Sequence, residues 1–245
     1  MIGALRSEFV KMRSLRSTWY SIGAMAVLGV VGSALGGVPR GAYEQYNRLG
    51  FEYASQRVAV AVFAVMLVTG EFRNTAMVSS ALAVPKRWTF HLAKTAVVAL
   101  YGVLLAVVGF GSASLTMAAR AGSFDVALLK EVVSKSSEYG YQRAATPPLF
   151  YVLLVVIGFA VFSGAIAFAL RSQPAAIVVA AVGPLLSLFW QNQFNPFLSA
   201  EAAANPDQVS AGGHVIDRAS GLAGFWIFVA VVVVISGVVH SRRDI

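Results

Sequence analysis

Apolar residues along this chain fall in long uninterrupted runs, separated by short polar and basic segments. Six runs approach the length of about 20 residues that a helix needs to cross a hydrocarbon core: residues 19–37, 57–70, 89–119, 148–170, 174–194 and 221–240. The second is the shortest, and it reaches full length only by recruiting residues 51–56, which include Glu52. A membrane β-barrel would alternate apolar and polar positions, and these runs do not. The pattern therefore predicts an all-α integral membrane protein with six transmembrane helices, residues 1–245 forming a single transmembrane domain.

Composition agrees with this. Hydrophobic residues make up 58% of the chain, charged residues 12%, and the mean hydropathy is +0.71. Such values suit lipid as the solvent. Small residues recur inside the runs, as at Gly29, Gly32 and Ser33 or at Ser163 and Gly164, where they let helices approach closely.

The segments between the runs have patterns of their own. In residues 1–17, Ile2, Leu5, Phe9 and Met12 recur at helical spacing with Val10 beside them, while Arg6, Lys11, Arg13 and Arg16 take the other faces. That is the signature of an interfacial amphipathic helix, and it suits both a membrane-surface anchor drawn to anionic lipid and a grip on a partner. No small-residue cleavage site follows a short apolar core here, so the first span is expected to be retained. After the second span, Asn74 is placed to cap a helix over residues 74–84, and Pro85 stops it. Lys86 and Arg87 then anchor the third span, with Trp88 at headgroup level. Met77, Val78, Ala81 and Leu82 give that short helix an apolar side suited to a groove. From spacing alone, an ordinary basic loop that fixes topology is the simpler reading of this segment. Residues 123–139 place Phe124, Leu128, Val132 and Val133 on one stripe, as a helix lying on the outer surface would. Residues 195–220 read either as an outer loop or as a re-entrant segment.

Charge fixes the expected orientation. With six spans, both termini share a side with the linkers after spans two and four, and that side carries the whole formal net charge of +8. By the distribution of Lys and Arg it is the cytoplasmic side of a plasma membrane. A sequence pI near 10 also suits nucleic-acid binding, but no basic domain with interleaved aromatics carries that reading, and none is expected.

Catalytic readings find little footing. The chain has no cysteine, which excludes disulfides, thiolate metal sites and cysteine nucleophiles. His91, His214 and His240 are scattered, with no carboxylate at ligand spacing, so neither a metal nor a cofactor is expected on this chain. No nucleophile elbow and no phosphate-binding G-x-x-x-x-G-K-[ST] loop occurs, so any ATP must be bound by another chain. Span cores lack Asp and Glu, and the nearest charges, Arg57, Glu71 and Lys94, fall near span ends, which weighs against ion-coupled transport.

The segment TGEFRNTAMVSSALAVPKR, residues 69–87, resembles the stretch after the second span of ABC-2 type transporter permeases. In that family it runs as Glu-Tyr-Arg, a Gly-Thr pair, an apolar stretch, and a Pro with a basic residue. Glu71, Phe72, Arg73, Thr75, Leu82, Ala83, Pro85, Lys86 and Arg87 match that form, and Asn74 departs from it where the family often has Gly. The opening SEFVKMRSLRSTWYS, with Ser7, Glu8, Lys11, Arg13, Arg16 and Trp19, is similar to the start of such permeases, especially those of high-GC Gram-positive bacteria. The resemblance implies a non-catalytic half-transporter that pairs with a second permease copy, identical or related, and with two separate ATPase subunits that bind ATP and Mg. Residues 74–84 become the coupling helix, with Glu71, Arg73, Asn74, Thr75, Met77, Leu82, Pro85, Lys86 and Arg87 at the docking site. The N-terminal helix, with Arg6, Glu8, Lys11, Arg13 and Arg16, becomes a second surface against which the ATPase presses. Glu71 is then expected to act at a hinge, paired either with Arg73 or with a basic residue of the N-terminal helix. Export is the expected direction, because the sequence shows no sign of a site for a periplasmic or lipoprotein receptor.

Two other classes fit the same sequence: a channel or secondary transporter, and a non-transporting membrane anchor or immunity subunit. The topology itself is open to test, because the native chain has no competing thiol. Single cysteines at Ser134 and Ser79 are expected to label with an impermeant reagent from outside and inside respectively, and the reverse pattern would overturn the orientation.

Overall fold

The computed structural model of the protein describes residues 2–35, 42–73, 87–121, 148–186, 196–204, 210–211, 214–215 and 218–242. Within them run helices α1 (Ile2–Ser14), α2 (Arg16–Leu35), α3 (Ala42–Arg73), α4 (Arg87–Ala121), α5 (Pro148–Leu170), α6 (Gln173–Leu186), α7 (Pro196–Ala204) and α8 (Arg218–Arg242). An antiparallel pair of two-residue strands, β1 (Ser210–Ala211) and β2 (His214–Val215), precedes α8. Among the described residues, four helical segments are long and apolar enough to cross a membrane: Arg16–Leu35, Trp88–Met117, Phe150–Leu170 and Ala219–Arg242.

Those four correspond to the first, third, fourth and sixth apolar runs. The fifth appears in part as α6, Gln173–Leu186, and the remainder of that run, residues 187–194, lies outside the described residues. The second run differs from its expected form. It is the C-terminal part of one continuous 32-residue helix, so the helix itself continues upstream of Arg57. Residues 42–56 carry good helix formers, Ala, Glu, Gln, Arg and Leu, and the helix extends through them although they are not apolar.

Lipid is as apolar as the side chains, so these helices are held by close contact and by hydrogen bonds more than by the hydrophobic effect. Gly29 of α2 faces α4 so closely that a Cβ there would collide with Ser112 Oγ and the Gly109 carbonyl. Ser21 of α2 hydrogen-bonds the Tyr101 hydroxyl of α4 lower on the same contact. Ser236 Oγ of α8 donates to the Ala165 carbonyl of α5 at 2.8 Å, and His91 Nε2 of α4 donates to the Val233 carbonyl of α8 at 3.1 Å. Each bond ties two helices at a point where a polar group would otherwise be stranded in an apolar interior.

Two junctions set the geometry at one end of the bundle. The break between α1 and α2 falls on Leu15, where Trp19 Nε1 donates to the Arg13 carbonyl at 3.0 Å and Ser14 Oγ to the Lys11 carbonyl at 2.8 Å. The α5–α6 turn is made by Arg171 in the left-handed region, φ 54°, whose amide closes the helix on the Ala167 carbonyl at 3.0 Å. That conformation costs a non-glycine residue about 1 kcal/mol. The Arg171 guanidinium lies 5.9 Å from the centroid of Phe72, which offsets part of it. At mid-height, α7 packs against the middle of α5 and α8: the Phe197 ring lies 5.9 Å from Phe159, 5.5 Å from Phe162 and 5.7 Å from Phe228. Pro196 opens this helix at a position where no amide donor is needed.

Candidate functional site

The α1 helix turns an acid inward. Leu5, Glu8, Met12 and Leu15 line the side against the bundle, with Glu8 only 2% exposed, whereas Phe9 is 48% exposed and looks away. The sequence pattern puts Phe9 on the apolar face with Leu5 and Met12 and gives Glu8 no place on it. The reason for the difference is Lys94.

Lys94 lies two turns into α4, on the stripe that also carries Phe90, Val97, Val98 and Tyr101, all buried. A lysine on that stripe is forced into the interior, where an uncompensated ammonium is costly. Its Nζ donates to Glu8 Oε2 at 2.6 Å and to Glu71 Oε1. Lys11 closes the set from the half-buried edge of α1, donating to Glu8 Oε1 at 2.6 Å. Glu71 reaches the cluster because it continues the inward stripe of Ala64, Val65 and Val68 at the end of α3. The four side chains are formally neutral together, and they join α1, the end of α3 and the start of α4 at one point. One acceptor stays open: Glu71 Oε2 is buried and has no hydrogen-bond partner among the described residues.

Burial by itself would raise the pKa of Glu8. The ammonium of Lys94 opposes this, joined by the hydrogen bonds from Lys11 and Lys94, and the net shift is downward. The carboxylate is therefore the form the fold selects.

Beside the ion cluster lies a sheaf of rings that joins the neighbouring helix ends. Phe72 of α3 and His91 of α4 meet Phe168 of α5 edge-on at 6.0 and 5.0 Å, and His240 of α8 meets it at 5.5 Å. The His91 and His240 rings stack at 6.3 Å, with Trp88 edge-on to His91. The ends of α3, α5 and α8 and the starts of α4 and α6 thus share one end of the bundle with α1.

Of the residues the sequence singled out, Glu8, Lys11 and Glu71 are brought together. Among the described side chains the cation on Glu71 is Lys94, where Arg73 or a base of the N-terminal helix was expected; the side chain of Arg73 lies outside the described ones, and Arg6 and Arg13 of α1 and Arg16 at the start of α2 are exposed. Arg73 closes α3 and Arg87 opens α4. Asn74, Thr75, Met77, Leu82, Pro85 and Lys86, with the whole of the expected helix over 74–84, lie outside the described residues, as does the expected outer helix over 123–139. Lys94 reads in the sequence as a topology charge, although its spacing from Phe90, Val97 and Tyr101 already puts it on the inward stripe. His91 and His240 were weighed only as metal ligands, and here they are packing rings.

No family model matches the chain, and no curated protein and no solved structure shows significant similarity to it.

The arrangement is a joint, with its acids and bases neutralising one another. Lys94→Met leaves two buried carboxylates facing each other, and it is expected to lower stability by about 3–5 kcal/mol, read as a fall in the thermal midpoint in detergent. Adding Glu8→Gln and Glu71→Gln to it should restore most of the loss, and an unchanged midpoint for the single variant would show that the cluster contributes nothing. The pH dependence has a definite sign. Because Glu8 titrates below its ordinary value of 4.5, its contribution is complete above that value and drains away as pH falls through the lower folded value. Wild-type protein should lose stability on acidification in that range more steeply than Glu8→Gln.

Proposed function

We propose that this chain is the membrane-spanning permease subunit of an ABC-2 type exporter, with six spans, both termini cytoplasmic, and ATP hydrolysis carried out by two separate subunits. A second permease copy completes the path. The observation that carries the reading is the Glu8–Lys94–Glu71 cluster, because Glu71 and Lys94 stand before and after residues 74–86 in the sequence and tie the N-terminal helix to the end of α3 and the start of α4. A partner that presses on that segment moves the end of α3 and the start of α4, and the ion cluster passes the displacement to α1. The resemblance of residues 69–87 and 7–21 to such permeases supports the same reading, as does the presence of four long apolar helices. Glu71 serves as the hinge residue in this mechanism: its second carboxylate oxygen, unpartnered among the described residues, offers an acceptor to a new donor when the segment moves.

The test is to purify the tagged chain from its native membrane in mild detergent and identify what accompanies it. An ATP-binding subunit at one per permease, with vanadate-sensitive hydrolysis, is the expected result. Glu71→Gln should leave that assembly intact while reducing the permease-dependent part of the ATPase rate by roughly five- to a hundredfold, the usual range of coupling between sites. A lone chain without hydrolysis, conducting in ATP-free vesicles, would instead make it a channel or secondary transporter, and a lone chain that binds without flux would make it an anchor.

A further inference from the structure

The outward side of α1 carries a second pattern. Arg6, Phe9, Val10 and Arg13 stand at positions i, i+3, i+4 and i+7 of the helix, all exposed, with Phe9 at 48% and Val10 at 58%. They form one stripe, turned away from the stripe of Leu5, Glu8 and Met12 that faces the bundle. Arg16 opens α2 beside it, also exposed, and is followed by Trp19 and Tyr20 at 60% and 73%. Glu8 is the sole acid before Glu44, and it is committed to Lys11 and Lys94 on the inner side. The outward stripe therefore presents guanidinium groups around an aromatic and an aliphatic side chain, with no second acid on α1 or α2 to balance them.

We propose that this stripe is a docking face for anionic phospholipid of the adjoining leaflet, and that lipid phosphate on Arg6, Arg13 and Arg16 holds α1 where Glu8 reaches Lys94. Position selects a bilayer as the occupant. Only Leu15 separates α1 from α2, a helix long and apolar enough to cross a membrane, so α1 runs at the level where that helix enters. The Trp19 indole is tied to the Arg13 carbonyl, which places an amphipathic ring at the same level. Arginine forks match phosphate oxygens two at a time, and Phe9 and Val10 between them enter the acyl boundary. The inference is independent of the permease reading: it needs only that α2 spans a membrane.

The full-length chain, with Val10→Cys as its single cysteine and an environment-sensitive dye on it, is placed in nanodiscs of phosphatidylcholine alone or with a third of the lipid as phosphatidylglycerol. In the anionic discs the dye should shift to the blue and the α1 amides should exchange more slowly, and salt should reverse both. Replacing Arg6, Arg13 and Arg16 together by Gln should weaken the response to anionic lipid on the order of a hundredfold, while replacing the same three by Lys should keep most of it. The salt titration of the parent protein needs no variant and stands even if the Gln triple fails to fold. Equal signals in the two discs, or a response that survives the Gln triple, would overturn the proposal. So would protection of α1 that appears only with a protein partner and ignores lipid charge. A lipid response in a chain that never binds an ATPase would sustain this inference while the permease reading failed.

Discussion

A lysine ammonium cannot rest in an apolar helix bundle without an anion, and much of the packing at one end of this protein follows from that constraint on Lys94. Its stripe on α4 is otherwise made of Phe90, Val97, Val98 and Tyr101, so the side chain has no route to water and needs its counter-charge from neighbouring helices. Two acids answer, from opposite ends of the local sequence: Glu71 from the end of α3 and Glu8 from α1. The identity of the inward face of α1 is therefore dictated from outside α1. Taking two charges from water costs several kcal/mol per ion, and only good geometry with further hydrogen bonds recovers it. Here Lys11 supplies one more donor to Glu8, and the cluster reaches neutrality.

Around that joint the fold relies on contact instead of hydrophobic driving force. The α2–α4 contact is set by Gly29 and by the Ser21–Tyr101 bond, and α8 is pinned to α5 and α4 by the Ser236 and His91 hydrogen bonds. The rings of Phe72, Phe168, His91 and His240 fill the space between helix ends beside the ions, giving the charged groups a dry and rigid wall. The outward arginines of α1 stay exposed on the side away from this joint.

The apolar runs made the span helices readable because length and uninterrupted hydrophobicity need no partner to interpret. Run 148–170 coincides with α5, bounded by Pro148 at its start and by the Arg171 turn at its end. The upstream half of α3 escaped, since its charged and polar residues suit a helix without marking it as a span. The face of α1 escaped for a different reason. Period alone ranks Phe9 above Glu8 as an inward residue, and the ranking reverses only through a cation 86 positions away, a relation that a single sequence does not display. Lys94 did carry a local signal, a lone cation on the inward stripe of an apolar helix, and that signal is the one to look for in similar chains. The sequence does not distinguish loop from re-entrant segment at the nine-residue α7 with its Phe197 anchor, because so short a helix is defined by the rings of α5 and α8 that receive it.

Glu8 and Lys94 hold α1 as a coupled pair, and a double-mutant cycle measures that coupling directly. Glu8→Gln, Lys94→Met and the double variant are unfolded in the same detergent beside the parent. The double variant is predicted to be less destabilised than the sum of the singles by about 2 kcal/mol. Additivity of the two singles would mean that α1 is held by something other than this ion pair, and would contradict the account.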